Sequence, residues 1–219
     1  MYVVPALIFD MDGVIVDSTA THTEAWISYL REHGISADNL SARMLGKHNG
    51  ELVRDLFGSQ PLSDGDVFRH GARKEALYRE IIRPVLRDKL VPGVVDFLTR
   101  HRDWPMGVAT NAEPANVDFV LANAGLSRYF RVVVDGSQVE RPKPHPDVFL
   151  KAAALLGYAP TDCVIFEDSL TGIEAARRSG ARVVGLTTTL AEFPDVDLTI
   201  GDFLDPKLDS WLQALPVSR

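Results

Sequence analysis

The sequence predicts an α/β protein, a parallel sheet with helices on both faces, interrupted by an all-helical insert. Three observations predict it. Short apolar runs at 6–9, 106–109, 131–134, 164–166 and 182–185, with a weaker one at 198–200, alternate with segments of helical spacing. No strand-like run occurs between residues 18 and 89. Four of the runs end in polar groups, as expected where parallel strands deliver side chains to a ligand at their carboxyl ends.

In chain order, Ala6-Leu7-Ile8-Phe9 closes on Asp10-Met11-Asp12-Gly13-Val14, which reads as a buried strand running into a loop. Asp17, Ser18 or Thr19 then caps a helix. His22, Trp26, Tyr29 and Leu30 share its face, and Gly34 stops it. A polar loop follows, in which Gly46-Lys47-His48-Asn49-Gly50 is too glycine-rich for a helix interior. Leu52, Val53, Leu56 and Phe57 give a short helix, Gln60-Pro61-Leu62-Ser63-Asp64 a break, and 66–83 a longer helix disturbed by Pro84.

After Val91-Pro92-Gly93 the alternation resumes. Helices are expected at 94–101, 114–124, 147–156 and 170–179, with a short terminal one near Trp211. Strands joined by helical crossovers make a parallel sheet. The domains are therefore 1–17 with 90–219 as the core and 18–89 as a helical lid inserted beside the acidic loop.

The 219 residues suffice for a sizeable core, and 46% hydrophobic with 24% charged residues are those of a soluble globular protein. No apolar run approaches the ~20 residues of a membrane span. Pro5 and Asp10 break up any signal-peptide pattern. Cys163 is the one cysteine and lies in an apolar run, so it is a buried thiol and no internal disulfide exists. A cytoplasmic location follows as the expectation. The net charge of −7, with basic residues scattered, argues against nucleic acid. The expected partner is a small phosphorylated substrate, with no membrane partner, and the expected state is a monomer.

The polar strand ends are Asp10, Thr110-Asn111, Asp135 and Glu167-Asp168, with Lys143 in a proline-rich loop after the third. Singly, each has a plain structural explanation as a turn, a helix cap or a solvated loop lysine. Together, in order at successive strand ends, they point to an active site. Converging carboxylates of Asp10, Glu167 and Asp168 suit Mg²⁺, which is hard and keeps several waters. Nothing suits zinc, which needs cysteine or paired histidine ligands. Lys143 would balance a phosphate's charge, and the Thr110 hydroxyl and Asn111 amide would donate to its oxygens. One aspartate of the Asp10/Asp12 pair can act as nucleophile and the other as acid and base, since unlike environments divide such roles.

With these residues in place, the chain resembles the haloacid dehalogenase superfamily, in its β-phosphoglucomutase-like branch. Phe9-Asp10-Met11-Asp12-Gly13-Val14 matches the first family motif, Thr110-Asn111 the second, Lys143 in Arg141-Pro142-Lys143-Pro144 the third, and Phe166-Glu167-Asp168-Ser169 the fourth. The resemblance implies a Rossmann-like core with a helical cap. It implies that Asp10 is the nucleophile and Asp12 the acid/base, with the Asp12 backbone carbonyl also on Mg²⁺. It further implies that Thr110 and Lys143 hold the phosphoryl group, and that Glu167 and Asp168 support the metal. In the cap it points to His22, four residues before Trp26, as the histidine that helps gate the acid/base aspartate. It points to Lys74 as a substrate contact and to Gly46 as the hinge-like glycine of the specificity loop. These residues, with Trp26, Lys47 and Asn49, are the expected substrate-binding positions of the cap. Where the mutases carry a lysine and a phosphate-gripping arginine, this chain has Leu45 and Asn49. An amide lacks both the charge and the fork of a guanidinium. The expected function is a Mg²⁺-dependent phosphatase of a small sugar or polyol phosphate, through an aspartyl-phosphate. The alternatives are a mutase interconverting β-glucose 1-phosphate and glucose 6-phosphate, and a non-catalytic phosphometabolite binder.

Overall fold

The computed structural model describes residues 4–44, 49–58 and 61–216. The chain divides into two compact units: one from the N-terminus to Asp17 together with Leu86 onward, the other Ser18–Val85.

In the first unit, six parallel strands among the described residues form one sheet in the order β3-β2-β1-β4-β5-β6. They are β1 (Ala6–Phe9), β2 (Met106–Ala109), β3 (Val132–Val134), β4 (Cys163–Glu167), β5 (Arg182–Leu186) and β6 (Leu198–Ile200). The helices are α5 (Val94–Arg100), α6 (Pro114–Ala124), α7 (Asp147–Leu156), α8 (Leu170–Ser179) and α9 (Lys207–Ala214). The predicted strands and helices of this unit are all present, with ends shifted by at most a few residues. Their caps explain the stops: Gly125, Gly157 and Gly180 end α6, α7 and α8 in the left-handed conformation.

β1 and β4 are buried along their whole length, as strands covered on both faces must be. Alternation sorts their side chains. Ala6, Ile8, Cys163 and Ile165 pack with Val148, Phe149, Ile173 and Ala176 of α7 and α8. Phe9 and Phe166 point the other way and stack at 4.7 Å, with Phe97 and Phe203 around them. Register then sets the site. Phe9 is level with Phe166 and Val108, so Asp10, Glu167 and Ala109 end their strands in one row. The chain order reverses between β1 and β4, the crevice where open α/β sheets bind ligands.

The second unit comprises α1 (Thr19–Glu32), α2 (Leu40–Met44), α3 (Asn49–Phe57) and α4 (Asp64–Ile82). No strand occurs among its described residues. Its core is Trp26, Tyr29, Leu30, Leu40, Leu52, Val53 and Leu56. The short α2 lies where the sequence reads as a polar loop. Only Leu40 of its five residues is buried, so it carries no apolar period to betray it. Asn49 and Gly50, expected outside any helix, begin α3, where a helix tolerates glycine better than in its interior. α4 starts two residues earlier than predicted. Ser63 caps it, accepting from the Asp66 backbone N–H while the Asp66 carboxylate accepts from the Ser63 backbone. Ser18 is the N-cap residue of α1 but makes no side-chain capping bond.

Candidate active site

Asp10 leaves β1 with its N–H donating to the Phe166 carbonyl at 3.0 Å, so the strand ladder itself aims it at the end of β4. The loop then turns tightly. Met11 O accepts from Ile15 and Val16 at 2.9 and 3.1 Å, and Gly13 takes φ +79, a conformation natural to glycine. The half-buried Asp12 pairs with Val16 in an isolated bridge inside this turn.

Lys143 is the cation of the site. It is 4% exposed, and its Nζ donates to Asp10 Oδ1 at 2.6 Å and to Glu167 Oε1 at 2.5 Å. The ammonium also lies 4.5 Å over the Phe149 ring. Asn111 Oδ1 accepts from the Lys143 backbone N–H at 3.2 Å, so this side chain holds the lysine loop in place. Thr110 is buried, its N–H on the Val134 carbonyl and its hydroxyl accepting from Ala112 N–H at 3.2 Å. The structure thus brings Asp10, Lys143 and Glu167 into direct contact and ties Asn111 to them.

Glu167 is engaged at both oxygens. Oε1 takes Lys143, while Oε2 accepts from the N–H groups of Asp168 and Ser169 and from the Ser169 hydroxyl, at 2.9–3.1 Å. Ser169 in turn caps α8 by accepting from Gly172 N–H. Asp168, 5% exposed, points to the Gly13 turn and accepts from Thr189. Asp135, a polar strand end in the sequence, is committed to its own turn through Ser137 and Gln138. Those bonds keep its carboxyl below the usual range even though burial pushes the other way.

Electrostatics separate the carboxylates. Burial pushes Asp10 up to about 7, Lys143 opposing that rise and Glu167 and Asp12 adding to it. Burial raises Asp168 well above the ordinary range too, with the Glu167 and Asp10 charges adding. Burial disfavours the Lys143 ammonium, yet the Asp10 and Glu167 charges and hydrogen bonds outweigh it and hold the lysine above its ordinary value. The cluster therefore has more carboxylates than cations to balance them, the condition that favours a bound cation.

Among the described residues, no group of three or more His, Cys, Asp or Glu side chains stands arranged to hold a metal. Mg²⁺ asks for less, one or two carboxylates with water and substrate oxygens filling the octahedron. Hard oxygen donors on Asp10 and Asp168 within a carboxylate-rich pocket fit that requirement.

In the helical unit, Lys74 is 2% exposed. Its Nζ meets His22 Nδ1 at 3.0 Å and Glu75 Oε1 at 2.6 Å, and lies 5.2 Å from the Trp26 ring. His22 stacks on Tyr78 at 3.9 Å, and the Asn49 amide donates to Glu75 Oε1. His22, Trp26, Lys74 and Asn49, singled out from the sequence, thus gather in one polar cluster around Glu75. Sequence reasoning missed Glu75, because a Lys-Glu pair on an amphipathic helix reads as solvated. It also missed Thr188 and Thr189, whose polar run after β5 looks like any loop. Gly46 and Lys47 lie outside the described residues.

Comparison with known proteins adds four findings. The family model for haloacid dehalogenase-like hydrolases matches residues 4–180. The chain is 37% identical over 180 residues to the fructose-1-phosphate phosphatase YqaB of Escherichia coli, covering 81% of this chain and 94% of that protein. It is 28% identical over 186 residues to the β-phosphoglucomutase of Bacillus subtilis, covering 83% and 82%. A solved hydrolase from Entamoeba histolytica, of haloacid dehalogenase family IA, variant 3, matches with a TM-score of 0.85 at 25% identity, over 95% of this chain and 98% of that one.

Proposed function

The chain belongs to the haloacid dehalogenase-like hydrolases, and on that premise we propose that it is a Mg²⁺-dependent phosphatase of a small sugar or polyol phosphate. The observation that carries the reading is the buried contact of Asp10, Lys143 and Glu167 at the carboxyl ends of β1 and β4. Asp10 attacks phosphorus through a carboxylate oxygen, forming a P–O bond as the bond to the leaving oxygen breaks. Asp12 gives that oxygen its proton, then takes one from the water that hydrolyses the aspartyl-phosphate. Inorganic phosphate leaves and both aspartates return to their starting states. Lys143 balances phosphoryl charge, and Thr110 donates to a phosphoryl oxygen.

Asp10, Asp168 and the Asp12 carbonyl would hold Mg²⁺, with Glu167 orienting the loop beside it. Bound there, the ion would offset the crowded negative charge and polarise the phosphoryl group. Residues 18–89 serve as the cap domain in this reading, with His22, Trp26, Asn49, Lys74, Gly46 and Lys47 as contacts to the organic part of the substrate. A cytoplasmic monomer acting without nucleic acid or membrane is part of the same proposal. The net charge of −7 disfavours nucleic acid, and no helix among the described residues is long and apolar enough to cross a membrane.

Phosphatase is favoured over mutase by Asn49. It stands where the mutases grip a second phosphate with arginine, and its amide is engaged with a carboxylate, Glu75, a poor neighbour for an anion. Fructose 1-phosphate, named for the 37% identical relative, is the first substrate to try. The test follows inorganic phosphate and isomerised sugar together, over a panel of sugar and polyol monophosphates with Mg²⁺. Release of phosphate without isomerised product, abolished by Asp10→Asn, is the expected result. Glucose 6-phosphate formed from β-glucose 1-phosphate without free phosphate would establish the mutase instead. Ligand binding without turnover across the panel would leave the binder.

A further inference from the structure

Two hydroxyls from the segment after β5 reach back to the acidic loops. Thr188 Oγ1 donates to the Gly13 carbonyl at 2.6 Å, and Thr189 Oγ1 donates to Asp168 Oδ2. The segment is anchored from behind, since Thr187 N–H donates to Ile200 O of β6 at 3.0 Å. Its course is set by the sheet. β5 lies beside β4 with Gly185 level with Glu167, so the chain leaving Leu186 passes the loop that carries Asp168.

Asp168 is confined on the opposite side as well. A Cβ on Gly13 would fall 1.9 Å from Asp168 Oδ2, so the glycine's bare Cα lies directly against that oxygen. Oδ2 is thus held between Gly13 and the Thr189 hydroxyl, with Oδ1 farther from the glycine, 2.9 Å from where its Cβ would lie. An aspartate's terminal torsion is broad and soft. With Glu167 and Asp10 adding their charges at Asp168, a carboxylate without a fixed donor would swing to the arrangement that best relieves repulsion.

We propose that Thr189 is a positioning residue for the cation-binding carboxylate: its hydroxyl pins Asp168 Oδ2 and so fixes the orientation in which the carboxylate would hold Mg²⁺, while Thr188 pins Gly13 and holds the Asp12 turn against Asp168. The inference rests on the Mg²⁺ reading above. Hydrogen-bond partners that orient a metal ligand are typically worth about 10–100-fold in metal affinity or activity. Thr189 is itself an exposed residue, so removing its hydroxyl leaves no core cavity to confuse the outcome.

The experiment is calorimetric titration of MgCl₂ into wild type, Thr189→Val and Thr189→Ser, without substrate, with thermal melts of each Mg²⁺-free protein. Valine keeps the shape and loses the donor, whereas serine keeps the donor. The expected result is about 10–100-fold weaker Mg²⁺ binding in the valine variant, near-wild-type binding in the serine variant, and similar melts in all three. At saturating Mg²⁺, KM for the sugar phosphate stays at its wild-type value in Thr189→Val. Equal Mg²⁺ affinity in wild type and Thr189→Val overturns the proposal and leaves the Mg²⁺ reading standing. Equal weakening by valine and serine overturns it too, because the hydroxyl is then not responsible. Wild type that binds no Mg²⁺ removes the metal reading and this inference with it. If the valine variant fails to fold, Thr189→Ala replaces it under the same criteria.

Discussion

Lys143 Nζ stands 2.6 Å from Asp10 Oδ1 across 133 residues of sequence, and the same ammonium reaches Glu167 at 2.5 Å. All three side chains are buried, so each charge depends on the others. Breaking a buried ion pair by removing one partner costs about 3–5 kcal/mol, because the abandoned charge stays buried. Lys143→Met is therefore expected to lose about that much in denaturant unfolding, and turnover about 10²–10³-fold as a transition-state donor disappears. Lys143→Arg should rescue stability poorly, as a planar fork does not fit two carboxylates met by one point charge. Wild-type stability in Lys143→Met would contradict the buried triad.

Gly172 in the first turn of α8 has its Cα against Glu167, where an added Cβ would lie 1.9 Å from Oε1. Alanine should gain up to about 1 kcal/mol in helix propensity. The clash costs more, typically about 1–3 kcal/mol, because Lys143, Ser169 and two backbone N–H groups hold the carboxylate in place. Gly172→Ala is thus expected to be net destabilising and to lower kcat. Gly71 in α4 is the control: nothing lies within 4 Å of its would-be Cβ, so Gly71→Ala should stabilise the protein by about 0.5–1 kcal/mol. Paired chemical denaturation curves decide both.

Cys163 is fully buried in β4, its Sγ on the Ala159 carbonyl at 3.4 Å. Burial pushes the thiol up to about 12, the Asp162 charge adding to it. The thiolate is the reactive form, so an aromatic disulfide reagent near neutral pH should find no fast-reacting thiol in native protein and one in denaturant. Rapid native labelling would show that β4 opens far more readily than this packing implies.

His70 packs in the helical unit with Nδ1 at 2.8 Å from Tyr29 Oη and its ring 4.1 Å from Phe57. Burial holds its pKa below the ordinary 6.5, the nearby His33 adding to the depression and Asp66 opposing it. Folding therefore favours the neutral imidazole, and between the lowered value and 6.5 the unfolded chain binds more protons. This contribution to stability is complete above the unfolded value and is lost as pH falls through the folded one. Asp10 and Asp168, raised in the folded state, push the other way over the same range, so the effect is read as a difference. Relative to wild type, the melting temperature of His70→Phe should rise as pH falls from about 7.5 to about 5.5. A difference between the two proteins that stays constant across that range would remove His70 as the group responsible.

The sequence by itself determined the sheet, because burial on both faces demands continuous apolar runs, and those of β1 and β4 are written in Ala6–Phe9 and Cys163–Glu167. It also determined the polar ends at Asp10, Thr110, Lys143 and Glu167-Asp168, since polar residues at buried strand ends stand out against such runs. It did not show α2, which buries one residue and so has no period to read. Only the tertiary structure decided which polar groups meet. Register places Asp10 level with Glu167, and the crossover brings Lys143 between them. Packing turned Lys74 and Glu75 inward onto His22, and the course of the chain after β5 put Thr189 on Asp168. These contacts join residues distant in sequence through backbone geometry, and a hydroxyl or carboxylate looks the same in a sequence whether it faces water or an active site.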